Sequence, residues 1–354
     1  MTTQKKPPIR LAIIGTGGMA NVHAERFREI RGCQLVAACD INRERAGEFA
    51  KRHSIPQAFE DAASLLAGVD CDAVSIVTPD SLHKPLAIEC LQAGKHVLCE
   101  KPLALNAQDA HEMLAAARAA RVVHAVNFTY RGLPCIQAAV RMVQRGDLGE
   151  VRHVEASYLQ AWLVSKAWGD WRTTPAWLWR LSKKHGSAGV LGDVGVHIVD
   201  FATFPTGPIR EVFCRLKAFP KAPRNRIGEY RLDANDSAVL NVEFSSGALG
   251  IIHTSRWVGG HANRLALKIA GTEGTLAMDT DWGGDVLRVC RGKNLETGTW
   301  KEMRYKAVPT VFQRFIAAIR SGGTAEPDFA RGAEIQRILD ASFESDARHL
   351  PVRV

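Results

Sequence analysis

This sequence lacks a long apolar run, a cysteine framework and any dense block of one charge. No stretch approaches the ~20 apolar residues of a membrane-spanning helix, so none is expected. The eight cysteines form no CxxC pair and no even spacing. That argues against a disulfide scaffold and against a metal site. Buried free thiols in a reducing cytoplasm account for them. Residues 1–9 are polar, contain Lys and Pro, and precede no apolar core of signal-peptide length. Residues 1–8 read as a short disordered leader. The net charge of +9 comes from scattered groups: Lys5-Lys6, Lys183-Lys184, and the arginines at Arg224 and Arg226. A nucleic-acid binder would show a basic stripe. A basic surface that attracts an anionic cofactor explains the charge without one.

What is present is globular. The chain has 354 residues, enough for two domains and a sizeable core. Its first third alternates strand and helix. Residues 9–14 form a short apolar run that stops at Gly15, the pattern of a buried parallel strand. A helix follows, with Met19, Val22, Phe27 and Ile30 at helical spacing for one apolar face. Further strands are expected at 34–39, 71–77, 96–99 and 122–126. Helices are expected at 43–52, 82–93 and 107–120, the last capped by Asn106. Repeated units of this length imply an α/β, doubly wound parallel sheet. After Asn127 the pattern changes. A helix at 134–145 precedes a strand at 151–160, a tryptophan-rich loop and an apolar helix near 191–204. Strands at 209–219, 236–245, 248–257, 264–270 and 285–291 follow, then helices at 310–320 and 331–348. Sequential strands with hairpin turns such as Ser245-Ser246-Gly247 imply an antiparallel sheet in an α+β domain. The boundary falls near 127, giving domains 9–127 and 128–354.

Four groups of residues could carry chemistry. Gly15-Thr16-Gly17-Gly18-Met19-Ala20 fits Gly-x-Gly-x-x-Gly/Ala between strand and helix. Gly15 permits the turn, Gly17 lets backbone approach a pyrophosphate, and Ala20 lets helix pack on sheet. Asp40 ends the second strand, with Ile41 and Arg43 beside it. A carboxylate there accepts bonds from ribose hydroxyls and repels a 2′-phosphate, so NAD is favoured. Arg43 and Arg45 could face such a phosphate, which leaves NADP as the alternative. The bland reading of Asp40 is a helix cap. Glu100-Lys101-Pro102 follows the strand at 96–99 and puts a cation at the carboxyl edge of the sheet, where such sheets bind ligands. Asp193 and His197 stand four apart, on one helix face. A carboxylate beside an imidazole suits a general base, although a cap and a core histidine would look the same. Five of the eight tryptophans lie within 162–179, Trp171 and Trp179 among them. Their faces could pack on sugar rings or simply bury the loop.

Taken in order, the glycine loop, Asp40, Thr78-Pro79 with His83, Glu100-Lys101-Pro102, Trp179-Arg180 and Gly189-x-x-x-Asp193-x-Gly-x-His197 resemble the glucose–fructose oxidoreductase and inositol dehydrogenase family. The resemblance runs from about residue 9 to the carboxyl terminus. It implies a Rossmann domain, then an α+β domain with a large open sheet through which dimers or tetramers form. It implies hydride transfer between a nicotinamide cofactor and a sugar or cyclitol carbon. The residue matching Lys101 would touch substrate and nicotinamide, and those matching Asp193 and His197 would touch substrate. Thr78, Pro79, His83, Glu100 and Asn127 would lie on the cofactor side. Arg131 matches a polar position beside the cofactor and is also a candidate substrate contact, with Trp171, Trp179 and Arg180. In the resulting reading His197 takes the hydroxyl proton, Asp193 orients it or a neighbouring hydroxyl, and Lys101 holds the reacting oxygen. Lys101 and His197 could exchange these roles. The same scaffold serves glycosidases that use NAD without net redox and regulators that only sense a cofactor.

Overall fold

The computed structural model describes residues 7–354. The expected leader lies outside the described residues except for Pro7 and Pro8, which belong to no strand or helix. The chain divides into two compact units, one running to Thr129 and regaining Pro309–Gln336, the other holding Tyr130–Val308 and Arg337–Val354.

The first unit is built on β1 (Ile9–Ile14), β2 (Cys33–Cys39), β3 (Gln57–Phe59), β4 (Ala73–Ile76), β5 (His96–Cys99) and β6 (His124–Val126). They form one sheet in the order β3-β2-β1-β4-β5-β6, with every pairing parallel. Helices α1 (Gly18–Arg28), α2 (Arg43–Arg52), α3 (Ala62–Gly68), α4 (His83–Gln92) and α5 (Ala107–Ala120) connect the strands. Because β1 has a strand on each side and helices on both faces, Leu11, Ala12 and Ile13 are fully buried. The buried face of α1 is not the expected one. Ala20, His23, Ala24 and Phe27 point inward, whereas Met19 and Val22 are exposed. The small Ala20 and Ala24 let the helix approach the sheet, and the bulkier Met19 and Val22 are turned to solvent. Phe27 alone contributes about 1.5–3 kcal/mol through burial.

In the second unit, α6 (Pro134–Gln144) precedes β7 (Val151–Gln160), and α7 (Pro175–Leu178) lies in the tryptophan loop. A π-turn at Leu191–Gly195 leads into α8 (Val196–Thr206). Then come β8 (Ile209–Lys217), a small ribbon of β9 (Arg226–Ile227) and β10 (Tyr230–Arg231), β11 (Ser237–Phe244), β12 (Leu249–Ser255), β13 (Asn263–Gly271), β14 (Gly274–Asp279), β15 (Val286–Arg291), α9 (Asn294–Thr297) and β16 (Lys301–Arg304). Helices α10 (Val311–Ser321) and α11 (Phe329–Arg348) precede β17 (Val352–Arg353), with α10 and the start of α11 counted in the first unit. Nine strands make one sheet, ordered β16-β15-β14-β13-β7-β12-β11-β8-β17. It is antiparallel except where β12 runs parallel to β7. One α8-covered side supplies core residues such as Val154, Leu240, Ile252 and Leu267.

The sequence reading assigned everything beyond 127 to the second domain. Residues 309–336 instead belong to the first unit. The reason is apolar: Val311, Phe312, Phe315 and Ile316 of α10 complete the core around Leu11, Ile13 and Phe27. No helix among the described residues is long and apolar enough to cross a membrane.

Candidate active site

In the first unit the candidate residues follow the carboxyl ends of neighbouring parallel strands. Gly15 follows β1, Asp40 follows β2, Thr78 lies just past β4, Glu100 and Lys101 follow β5, and Asn127 follows β6. Such an edge is where open α/β sheets take ligands. Gly15 has φ of 90°, and a Cβ there would stand 2.5 Å from the carbonyl oxygen of Val77. Only glycine fits that turn. Gly17 is the N-cap of α1 and offers no side-chain cap, while a Cβ on Gly17 or Gly18 would meet nothing within 4 Å. This helix start is thus uncrowded and has no side-chain cap, as a bound pyrophosphate requires. Thr78 Oγ1 and Asn127 Oδ1 are buried without a hydrogen-bond partner in the protein. Two orphan polar atoms and an open glycine loop on one edge fit a dinucleotide.

Asp40 is more engaged than a free ribose acceptor. Thr16 donates to it from its backbone N and Oγ1, both at 2.9 Å. Asn42 N donates at 3.0 Å, and Arg45 grips both carboxylate oxygens at 3.1 and 2.5 Å. Burial pushes this carboxyl up, but the bonds from Arg45, Asn42 and Thr16 outweigh it and hold the group below its usual range. Arg43 instead reaches Glu60 at 3.5 Å, and Ile41 is 86% exposed. The cation beside Asp40 is therefore Arg45. His83 is fully buried, with its ring nitrogens 2.8 Å from the Pro102 oxygen and 3.1 Å from the Thr78 oxygen. It braces the loops that carry Thr78 and Lys101.

Glu100 centres a buried network. His23 Nε2 lies 2.8 Å from its Oε1, and Asn127 Nδ2 donates to the same oxygen at 2.6 Å. The backbone N of Lys101 donates to Oε2 at 3.1 Å. Desolvation works to protonate Glu100. His23, through a hydrogen bond and its charge, then the charge of Lys101 and the bond from Asn127, bring the carboxyl down to about 2. Lys101 itself is half-buried.

The second unit holds its own polar group. His197 opens α8 and is 8% exposed. The Tyr130 ring meets it edge-on at 5.0 Å, with Tyr158 at 6.3 Å. Tyr130 and Tyr158 hydroxyls lie 2.6 Å apart, and Tyr158 donates to Asn263 Oδ1 at 2.7 Å. Burial drives the Tyr158 phenol well above its ordinary value. Asp193, in the π-turn, engages two guanidinium groups, Arg256 at 2.8 Å and Arg180 at 3.2 Å. Arg256 is fully buried and lies over Trp162 at 5.0 Å. Two candidates are placed as structure rather than as open contacts. Arg131 makes a bidentate pair with Asp200, both buried, at 2.7 to 3.2 Å. Trp171 is 2% exposed and donates to the Leu163 oxygen, so it fills the core under the loop. Trp168 stacks on Trp177, which packs in turn on the buried Trp162, and Arg180 lies over Trp179.

Sequence reasoning missed His23, Tyr130, Tyr158 and Arg256, and it named Arg45 only as a phosphate contact, not as the partner of Asp40. Only His23 left a usable trace, as a polar residue at helical spacing from Ala20, Ala24 and Phe27.

An open glycine loop over a parallel sheet, with a lysine at the same edge, defines an NAD-binding oxidoreductase. Residues 9–128 match the oxidoreductase family with an NAD-binding Rossmann fold, and residues 136–277 match the GFO/IDH/MocA C-terminal domain. The chain belongs to the GFO/IDH/MocA family. Levoglucosan dehydrogenase of Pseudarthrobacter phenanthrenivorans is 29% identical, over 87% of this chain and 86% of that protein. The scyllo-inositol 2-dehydrogenase (NADP+) of Bacillus subtilis is 31% identical, over 77% and 76%. A solved levoglucosan dehydrogenase in complex with NADH superposes with a TM-score of 0.86 at 27% identity, covering 98% of this chain and 99% of that one.

Proposed function

We propose that this chain is a dehydrogenase of a sugar or cyclitol secondary alcohol, with NAD preferred over NADP. The observation that carries the reading is Lys101, whose amide Glu100 fixes at the edge that also carries the open glycine loop. NAD supplies the hydride acceptor when bound. Lys101 holds the reacting oxygen and stabilises charge that develops on it. His197 accepts the hydroxyl proton as the carbon–hydrogen bond gives up its hydride. Asp193 with Arg180, and the rings of Trp168, Trp177 and Trp179, provide hydrogen-bonding groups and apolar faces for a polyhydroxylated ring.

A panel of glucose, levoglucosan, myo-inositol, scyllo-inositol and simple glucosides, read by NADH absorbance, tests this directly. At least one member should reduce NAD. Release of free sugar from a glucoside with no net NADH would replace the dehydrogenase with a glycosidase.

Cofactor choice rests on Asp40 and Arg45. A 2′-phosphate beside the carboxylate is a like-charge clash, which Arg45 softens by neutralising Asp40. Wild type should bind NADH more tightly than NADPH. Asp40→Ser should free Arg45 to face a 2′-phosphate and shift the ratio toward NADPH by about tenfold or more, ~1.4 kcal/mol. Arg45→Ala should move it the other way. Fluorescence titration of both reduced cofactors decides, and tighter NADPH binding by wild type sinks the assignment.

The second unit's sheet supports assembly as a homodimer or homotetramer. One row crosses the sheet in register: Asn241, Ile251, Glu155, Lys268, Ala277, Arg288 and Glu302. Val239, Leu249 and Ile251 stand exposed on this face, and a hollow of about 430 Å³ lies between Trp282, Trp300 and Arg288. Apolar groups with paired charges of both signs suit a self-complementary interface. Ile251→Glu should lower the mass seen by light scattering to that of the monomer. A monomeric wild type would refute the interface. A reducing cytoplasm suits the eight unpaired cysteines.

A further inference from the structure

We propose that His23 is a positioning residue for Lys101, acting through Glu100 and tying the glycine-loop helix to the end of β5. The proposal deepens the function above and rests on that reading only for the role of Lys101.

His23 occupies a position that chemistry alone would give to an apolar side chain. It is fully buried on the inward face of α1, beside Ala24 and Phe27. The Phe312 ring meets its edge at 4.9 Å and 89°. An imidazole in such surroundings is costly unless its nitrogens are satisfied. Both are. Nδ1 lies 2.8 Å from Ser75 Oγ on β4, and Nε2 lies 2.8 Å from Glu100 Oε1. Ser75 is itself fully buried, so it fixes the ring from the far side.

The geometry of Glu100 shows what the ring is for. Its two oxygens have separate tasks. Oε1 takes His23 and Asn127, and Oε2 takes the Lys101 amide. With Oε1 held from two directions, the carboxylate cannot turn, and Oε2 stays on the lysine backbone. Without His23 a buried carboxylate would lose its main compensating partner. It would swing away or take up a proton, and either change frees the Lys101 amide. A displacement of the backbone by a fraction of an ångström moves the lysine off the reacting oxygen. Packing alone would not require this arrangement, since leucine fills the same space without the desolvation.

The test compares wild type, His23→Leu, His23→Gln, Lys101→Ala and the double variant His23→Leu/Lys101→Ala. Turnover is measured with whichever panel sugar or cyclitol is fastest. His23→Leu should lower kcat by about 10- to 100-fold, with a much smaller change in NADH affinity because the Gly15–Ala20 loop is untouched. His23→Gln, which keeps one N–H aimed at Glu100, should recover most of that loss. In the Lys101→Ala background the His23→Leu change should cost nothing further, because its effect passes through the missing lysine. Amide hydrogen exchange of the cofactor-free protein gives a reading that needs no substrate. The Lys101 amide should lose protection in His23→Leu while the β1 amides keep theirs. Losses that add in the double variant, or a Lys101 amide as protected in His23→Leu as in wild type, would overturn the proposal. A core-packing role would lower Tm and leave turnover per folded molecule intact, which also overturns it. Full activity in Lys101→Ala would instead sink the role given to the lysine, and the exchange result would still decide whether His23 holds its backbone. Should His23→Leu fail to fold, Ser75→Ala loosens the ring from its other end and should raise Lys101 exchange in the same direction.

Discussion

Lys101→Ala is expected to lower turnover by about 10²–10⁴, the range for a lost oxyanion or acid/base partner. That corresponds to about 3–5 kcal/mol of transition-state stabilisation. The physical case is local. Lys101 carries a positive charge on a half-buried stem, and its backbone is fixed by a carboxylate that is itself fixed by His23 and Asn127. A cation so held acts on developing negative charge without first having to reorganise. Lys101→Met keeps the bulk of the stem and removes the charge, so it should lose nearly as much as Lys101→Ala. Both variants should melt near the wild-type temperature and bind NADH as wild type does, because the pyrophosphate lies on the glycine loop. Turnover, Tm and NADH affinity measured on the same samples make the result unambiguous. Full activity in either variant would remove the lysine from the mechanism.

Sequence alone revealed the parts of this molecule that depend on short-range patterns. The run 9–14, the loop Gly15 to Ala20 and the strand 96–99 before Glu100 each follow from neighbouring residues, and the structure places all three as expected. The antiparallel character of the second sheet was legible from its long strands and the turn after Phe244. Contacts between distant segments were not legible. Nothing near residue 312 announces that Phe312 and Phe315 complete a core begun at Leu11, and so α10 was assigned to the wrong unit. The three-residue β3 is too short to carry a period, and so it went unseen. The polar partners are the sharpest case. Glu100 and His23 lie 77 residues apart, and Asp193 and Arg256 lie 63 apart. Spacing suggested that Asp193 works with His197; that Arg180 and Arg256 also hold its carboxylate was not legible. Arg131 looked like a contact from its place in the family pattern, and Trp171 because aromatic faces suit sugars. Burial gives Arg131 to Asp200 and Trp171 to the core.

His197→Ala is expected to cost turnover about 10²–10⁴-fold as well, and here the structure sharpens what must be separated. The imidazole is mostly buried, with the Tyr130 ring edge-on at 5.0 Å, so its removal also leaves a hollow. Some loss of Tm is expected in either case. The distinguishing quantity is turnover per folded molecule at a temperature well below both midpoints. If His197 takes the substrate proton, that turnover falls by orders of magnitude, and NADH affinity is retained. If it only packs between Tyr130 and Tyr158, turnover is retained and Tm alone moves. Asp193 provides the contrast. It neutralises Arg256, a guanidinium with no exposed surface, whose ionisation burial opposes and Asp193 favours. Asp193→Asn breaks that pair, and removing one member of a buried pair costs about 3–5 kcal/mol. The lower end applies, because the Asp193 side chain keeps 25% of its surface in solvent. Asp193→Asn should therefore be the less stable variant and His197→Ala the less active one. The reverse ordering would move the proton-accepting role away from His197 and leave Lys101 as the remaining candidate for it.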